Sequence, residues 1–227
     1  MSGFLHKSCG ARALVWAKNS GRVKSWGTLS LVKIFSDMEN VLTKKLTYHE
    51  FRQMDFGDND SSWYELINGE LVKKQSSTLR HQIISGNIEF ALQVYANKTN
   101  SGRMLHAPLD VVLDDGNAYH PDVFFVKKER SFILDNAEEV VIGAPDLVVE
   151  ILSKSTGVYD RGEKKDIYEQ YGVREYWLVE PRTNTIELYA YTEQRYKLVA
   201  LLEATDVLKS VALEGFELDL AEVFRDK

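Results

Sequence analysis

A single cysteine, Cys9, stands among 227 residues, which excludes both an internal disulfide and a cysteine-built metal site. The simplest setting for such a chain is reducing and cytoplasmic. No run approaches the roughly 18 to 20 apolar residues needed to cross a bilayer, so no membrane partner is expected. Prolines number only 4, and internal repeats and low-complexity segments are missing, which excludes a repeat architecture. Net positive charge is lacking as well. The formal charge of -6 argues against wholesale coating of nucleic acid. Binding depends on the potential near a site rather than on the sum, so a local basic patch stays compatible with that total.

What is present is the composition of a globular protein: 44% hydrophobic and 27% charged residues. At 26.0 kDa the chain is long enough for one well-buried domain with decoration. The first 37 residues are basic and free of acids until Asp37, and lack a continuous apolar core of secretory type. Ordinary globular patterning begins at Met38 with MENVLTKKLTYHEF. Residues 1–37 are therefore read as an N-terminal extension, or as an upstream start that the natural protein does not use, and 38–227 as a single domain.

Thr47-Tyr48-His49-Glu50 has capping-box spacing and predicts a short helix over Tyr48 to Met54. YELINGELVKK predicts a hairpin turning at Asn68-Gly69. Apolar residues at Ile83, Ile84, Ile88, Phe90, Ala91 and Val94 predict a helix from Leu79 to Tyr95 that packs on one face. Strands are predicted over Met104 to Leu113, Asp122 to Val126, Leu147 to Leu152 and Glu175 to Val179. The second and third are close to continuously apolar, as central strands are. A helix is expected from Arg161 to Tyr171, then a hairpin from NTIELYAY and RYKLVALL, then a short closing helix in LDLAEVF. The pattern is that of an α/β domain.

Two segments put acids where acids are costly. HPDVFFVKK carries Asp122 into a strand, and PDLVVEILSKS holds Asp146 at its start and Glu150 within it. Burying a carboxylate is expensive unless it is paired or holds a metal. Asp146, Val148, Glu150 and Leu152 share one face of the strand, and at about 3.3 Å per residue the two acids are roughly 13 Å apart. That is too far for them to chelate one small cation together, whereas Asp122 on an adjacent strand can reach Glu150. Oxygen ligands of this kind suit Mg²⁺, or Mn²⁺, with water completing the shell. Lys154, Lys164 and Lys165 are the nearby ammonium candidates, and Lys164 lies one helical turn before Tyr168. Each residue taken alone also has a structural reading. Asp146 suits a strand start, Glu150 an edge strand or a buried arginine partner, and His81 the opening of its helix.

The order PDV, PDLVVEILSKST, D-x-G-E-K at 160 to 164, Tyr168 and YGVREYWLVEP resembles the Uma2-like family of restriction-type endonucleases. YELINGELV and RHQII add to the likeness, which spans roughly residues 45 to 200. It implies a PD-(D/E)xK, restriction-endonuclease-like fold, in which a mixed central sheet flanked by helices carries a divalent metal on two adjoining strands. Carried over, Asp122 matches the first acid and Glu150 the second. Leu152 stands where the general pattern has lysine, and Lys164 on the next helix is the match, with Lys165 second because it points about 100° away. Tyr64, Glu70 and His81 fall in family motifs.

The resemblance implies a Mg²⁺-dependent endonuclease acting on DNA phosphodiesters. Asp122 and Glu150 would hold the metal and Lys164 would support the attacking water or the developing charge. The alternative is a catalytically weak or inactive nucleic-acid-binding or regulatory module of the same fold. A third is a hydrolase of other phosphoesters. Lys154, Arg161, Lys164 and Lys165 are expected to rim the cleft, and a homodimer could present two such sites. Replacing Lys164 with methionine is expected to leave the fold intact.

Overall fold

The computed structural model describes residues 45–56, 62–74, 76–136, 140–153 and 157–225; residues 1–37, with Cys9, and Lys154 lie outside them, and so does the reading of 1–37 as an extension. The capping box forms as the sequence predicts. Glu50 N–H donates to Thr47 Oγ1 at 3.2 Å and Thr47 N–H to Glu50 Oε2 at 3.0 Å, starting helix α1 (Tyr48–Arg52). Strands β1 (Trp63–Ile67) and β2 (Glu70–Lys74) meet at Asn68 and Gly69, whose φ values of 50° and 76° are those of a primed hairpin turn.

Helix α2 (Leu79–Thr99) is capped by Thr78 Oγ1, runs four residues beyond Tyr95 and is closed by Asn100 in the left-handed region. Its buried face is His81, Ile84, Ser85, Ile88, Leu92 and Ala96. Phe90 and Val94, counted in the predicted apolar stripe, are 72% and 49% exposed. Apolar residues fall on more than one side of this helix, so spacing alone does not choose the face that meets the sheet.

The single strand expected from Met104 to Leu113 is two, β3 (Gly102–His106) and β4 (Val111–Asp114). Pro108 lies between them and has no N–H to give to a ladder. Next come β5 (Asn117–Tyr119), β6 (Val123–Lys127), a 3₁₀ segment (Lys128–Leu134), β7 (Val141–Ile142) and β8 (Leu147–Ile151). The helix expected from Arg161 to Tyr171 is α4 (Glu163–Gln170), and a short α3 (Gly157–Arg161) that the sequence reading does not give precedes it, with Gly162 between the two. Strands β9 (Glu175–Glu180), β10 (Thr185–Thr192) and β11 (Arg195–Glu203) follow. The chain closes with β12 (Val207–Lys209), β13 (Glu217–Asp219) and α5 (Leu220–Val223).

Six strands form the central mixed sheet in the order β11-β10-β9-β8-β6-β3. Within this sheet, among the described residues, only β8 and β9 pair in parallel, and α3 and α4 make the crossover between them. A second sheet runs β2-β1-β5-β4-β7. Residues of β6 and β8 alternate between two cores, as a strand covered on both sides requires. Val123, Phe125, Leu147, Val149 and Ile151 pack with α2, α5 and Trp177. Phe124, Val126 and Val148 pack on the opposite side with Ile167 and Tyr168 of α4 and with Ile67 and Tyr119 of the second sheet. The architecture is the restriction-endonuclease-like mixed α/β fold. Among the described residues no helix is long and apolar enough to cross a membrane.

Gly102 opens β3 where it pairs with Lys127 of β6. A Cβ there would lie 2.2 Å from Val126 O and 2.9 Å from Lys127 Cα, and both are backbone atoms that cannot swing aside. Gly102→Ala should therefore destabilise the protein by about 1–3 kcal/mol, the usual cost of forced overpacking. Urea unfolding measures it; an unchanged midpoint would show that β3 is not held this closely.

Candidate active site

Glu150 is the fourth residue of β8, and its face follows from strand alternation: with Val148 it points toward α4 and the second sheet. Strand β6 pairs antiparallel with β8 at Val123↔Val149. Continuing that register sets Asp122 opposite Glu150, with Cα atoms roughly 5 Å apart. Asp122 is also pinned to β8 directly, since Oδ2 accepts the Ile151 N–H at 2.7 Å. Asp146 sits at the other end of β8. It is 0% exposed, accepts the Lys127 N–H on Oδ2 at 2.8 Å and pairs with Arg130 at 3.2 Å. Its role is to anchor the strand start.

Lys164 and Tyr168 are i and i+4 on α4, and both point down onto Glu150. Lys164 Nζ is 2.7 Å from Glu150 Oε1, and the Tyr168 hydroxyl donates to the same oxygen at 3.0 Å. The ammonium lies 3.2 Å from Glu65 and 3.2 Å from Asp160 as well, and the side chain is 0% exposed. Lys165 points elsewhere, over the Tyr189 ring at 4.8 Å. Tyr64 stacks on Phe56 at 4.3 Å, and Glu70 is exposed at the hairpin turn. His81 joins the site: its Nε2 is 3.1 Å from Asp122 Oδ2, while its buried Nδ1 has no partner among the described residues.

Several groups enter that the sequence reading does not assign. Glu65 of β1 is 1% exposed and takes ammonium groups from two directions, Lys164 and, at 3.3 Å, Lys74. Lys74 ends β2, donates to His120 O at 3.0 Å and lies 3.9 Å from Asp122 Oδ1. His120 N–H donates to Glu65 Oε1 at 2.9 Å, and its Nε2 meets Asp110 Oδ1 at 2.6 Å. Asp110 Oδ2 in turn accepts the Tyr48 hydroxyl at 2.6 Å, so α1 is tied to the site through one polar chain. The signal for Glu65 was the one that exposed Glu150, an acid inside an apolar strand, here YELI. Lys74 in VKK carries no such mark.

Four carboxylates, Glu65, Asp122, Glu150 and Asp160, thus surround two ammonium groups. The imbalance decides the protonation. Burial would push Glu65 up, but Lys164 and Lys74 outweigh it and hold the carboxyl down at about 2. Asp122 is held at about 2 in the same way, against burial, by Lys74, His81 and the Ile151 N–H. Glu150 goes the other way. Burial, with the fields of Asp160 and Asp122, exceeds what Lys164 and Lys74 give back and raises it to about 8. Lys164 is driven well above its ordinary range despite burial, by Glu150, Glu65 and Asp160. It keeps its proton and cannot serve as a base. The burial argues against tolerance of methionine there, since removing this ammonium leaves buried carboxylates without their counter-charge.

Among the described residues no group of three or more His, Cys, Asp and Glu side chains is arranged to hold a metal ion. The donor set available is the opposed pair Asp122 and Glu150. Two carboxylates fit an ion that keeps several waters and takes the rest of its shell from substrate phosphate, the habit of Mg²⁺. A cleft of about 710 Å³ opens above Asp122. Its walls carry Lys74, Thr78, His81, Arg80, Arg161 and Arg182.

A mixed sheet whose one parallel pair is joined by a helical crossover, with acids at adjoining strand ends, is a PD-(D/E)xK nuclease-like architecture. The chain belongs to the Uma2 family, described as "Putative restriction endonuclease", whose model matches residues 48–221. It is 24% identical over 161 residues to "Uncharacterized protein sll1609" of Synechocystis sp., covering 70% of this chain and 89% of that protein. With "Uncharacterized protein slr1290" of the same organism the identity is 27% over 182 residues, covering 78% and 90%. The fold is similar to the crystal structure of "a putative nuclease belonging to DUF820" from Anabaena variabilis. There the TM-score is 0.65 at 18% identity, covering 79% of this chain and 97% of that one.

The charge balance gives a pH prediction. Glu65 moves from 4.5 to about 2 on folding, so it contributes stability that is complete above 4.5 and is lost as pH falls toward 2. Its worth is roughly 3 kcal/mol. In urea unfolding, the gap between wild type and Glu65→Gln should be wide at pH 7 and should close below pH 4.5. A gap independent of pH would contradict the assignment.

Proposed function

We propose that the protein is a nucleic-acid-binding module of the nuclease fold, with a Mg²⁺ site at Asp122 and Glu150 and weak or absent hydrolysis. The observation that carries this reading is the enclosure of Lys164 by Glu150, Glu65 and Asp160. The lysine that would support an attacking water is spent on neutralising acids, and it shares Glu150 Oε1 with the Tyr168 hydroxyl, which leaves Oε2 for an ion. The cleft lining supports the binding half: Lys74, Arg80, Arg161 and Arg182 outnumber Asp122 and Glu180 there, a local balance that the chain's total charge does not reveal. DNA is the ligand to which the family description points.

One observation favours the second reading, a Mg²⁺-dependent DNA endonuclease: the register of two adjoining strands sets Asp122, which lines the cleft, opposite the buried Glu150. There Mg²⁺ would supply an oriented, more acidic water and a counter-charge for phosphoryl oxygen. Asp122 and Glu150 would hold it, His81 would fix the Asp122 carboxylate, and Tyr168 would fix Glu150.

Fluorescence polarisation with duplex DNA, run beside nicking of supercoiled DNA in Mg²⁺ or Mn²⁺, separates the two. Salt-sensitive binding with little or no nicking is expected. Rapid nicking that Asp122→Asn abolishes would replace the first reading with the second. Absence of DNA binding, with turnover confined to small phosphoesters, would remove both.

A further inference from the structure

Lys164 has three N–H groups and three carboxylates within 3.2 Å, and its side chain is 0% exposed. No donor is left to offer a substrate. A phosphate that enters the cleft and approaches Asp122 must meet a different cation.

Lys74 is the lysine in that position. It lines the cleft, and its side chain is 15% exposed. One N–H is anchored on His120 O at 3.0 Å, and Glu65 Oε1 lies 3.3 Å away. The 3.9 Å separation from Asp122 Oδ1 is longer than a hydrogen bond, so donor capacity remains on this ammonium. Its place is set by the hairpin: Lys74 pairs with Trp63 in the ladder two residues from Glu65, which gives the long side chain a fixed acidic anchor. The same two acids hold its charge firmly on. Ser76, Ser77 and Thr78 follow it along the cleft wall to the start of α2, where hydroxyls and the first helical amides also favour an anion. The arginines are occupied differently: Arg161 pairs with Glu187, Arg182 with Glu180, and Arg80 donates to Asn184.

We infer that Lys74 is the residue that contacts the phosphate of bound nucleic acid beside Asp122, while Lys164 is a buried counter-ion that never touches it. The inference rests on the nucleic-acid reading above and names the group within that site that meets the ligand.

The test uses the full chain and a fluorescein-labelled DNA duplex, with polarisation measured between 50 and 200 mM salt. Lys74→Gln leaves Glu65 and Asp122 short of a cation, so the double variant Lys74→Gln/Glu65→Gln, which keeps the cluster's charge balance, is measured beside it. Lys209→Gln, an exposed lysine paired with Glu217, controls for net charge. Both Lys74 variants should bind roughly 10-fold more weakly and lose about one from the slope of log K against log salt, while the Lys209 variant stays close to wild type. Wild-type affinity and slope in the folded double variant would overturn the assignment. If wild type binds no DNA, the nucleic-acid reading falls, and calorimetric titration with pyrophosphate decides Lys74 by itself. Pyrophosphate binding that weakens in both Lys74 variants keeps it as an anion-contacting residue. Binding indifferent to them, or no binding, overturns it.

Discussion

The structure depends on one buried ammonium. Lys164, fully enclosed, draws together Glu150 from the central sheet, Glu65 from the second sheet and Asp160 from the short helix before its own. Each of those carboxylates is at most 1% exposed, and none could stay ionised in that place without a counter-charge. The cost of taking so many charges out of water is large, and such a cluster adds little net stability over an apolar core of the same shape. What it does supply is position. Four segments meet at one nitrogen, so a shift in any of them opens a charged gap.

Function follows from how that charge is shared. Acids outnumber ammonium groups in the cluster, and Glu150 absorbs the excess by holding its proton to about 8. Asp122 and Glu65 remain carboxylates because Lys74 stands against both. A cation bound between Asp122 and Glu150 would take over the role of that proton, which links metal affinity to pH. The division of labour between the lysines follows the same logic. Lys164 sits on the dry side of the acids and Lys74 on the side that faces the cleft.

Much of this was legible in the sequence, and the reasons are local. An acid inside PDLVVEILS advertises a cost that something must offset, and alternation fixes which way it points. Asn68-Gly69 and the Thr47 capping box specify their turns by backbone chemistry alone. What could not be read is what tertiary contact decides. Phe90 and Val94 look like core residues on a helix with apolar side chains all round, yet α2 turns Ile84, Ile88 and Leu92 to the sheet instead. Lys74 is one of two adjacent lysines at a strand end; alternation puts it on the Glu65 face and Lys73 on the other, but only the fold brings that face to Asp122. The break at Pro108 was available from the missing N–H and is the one local signal the strand reading passed over.

The central claim is that Lys164 is a structural counter-ion coupled to Glu150. A double-mutant cycle measured by urea unfolding at pH 9, where Glu150 is ionised, tests it, with Lys164→Met, Glu150→Gln and the pair together. The account predicts a loss of about 3–5 kcal/mol for Lys164→Met, the cost of stripping a buried charge cluster of its partner. It also predicts recovery of more than about 1 kcal/mol when Glu150→Gln is added. A loss under about 1 kcal/mol for Lys164→Met, with the two changes simply additive, would contradict it.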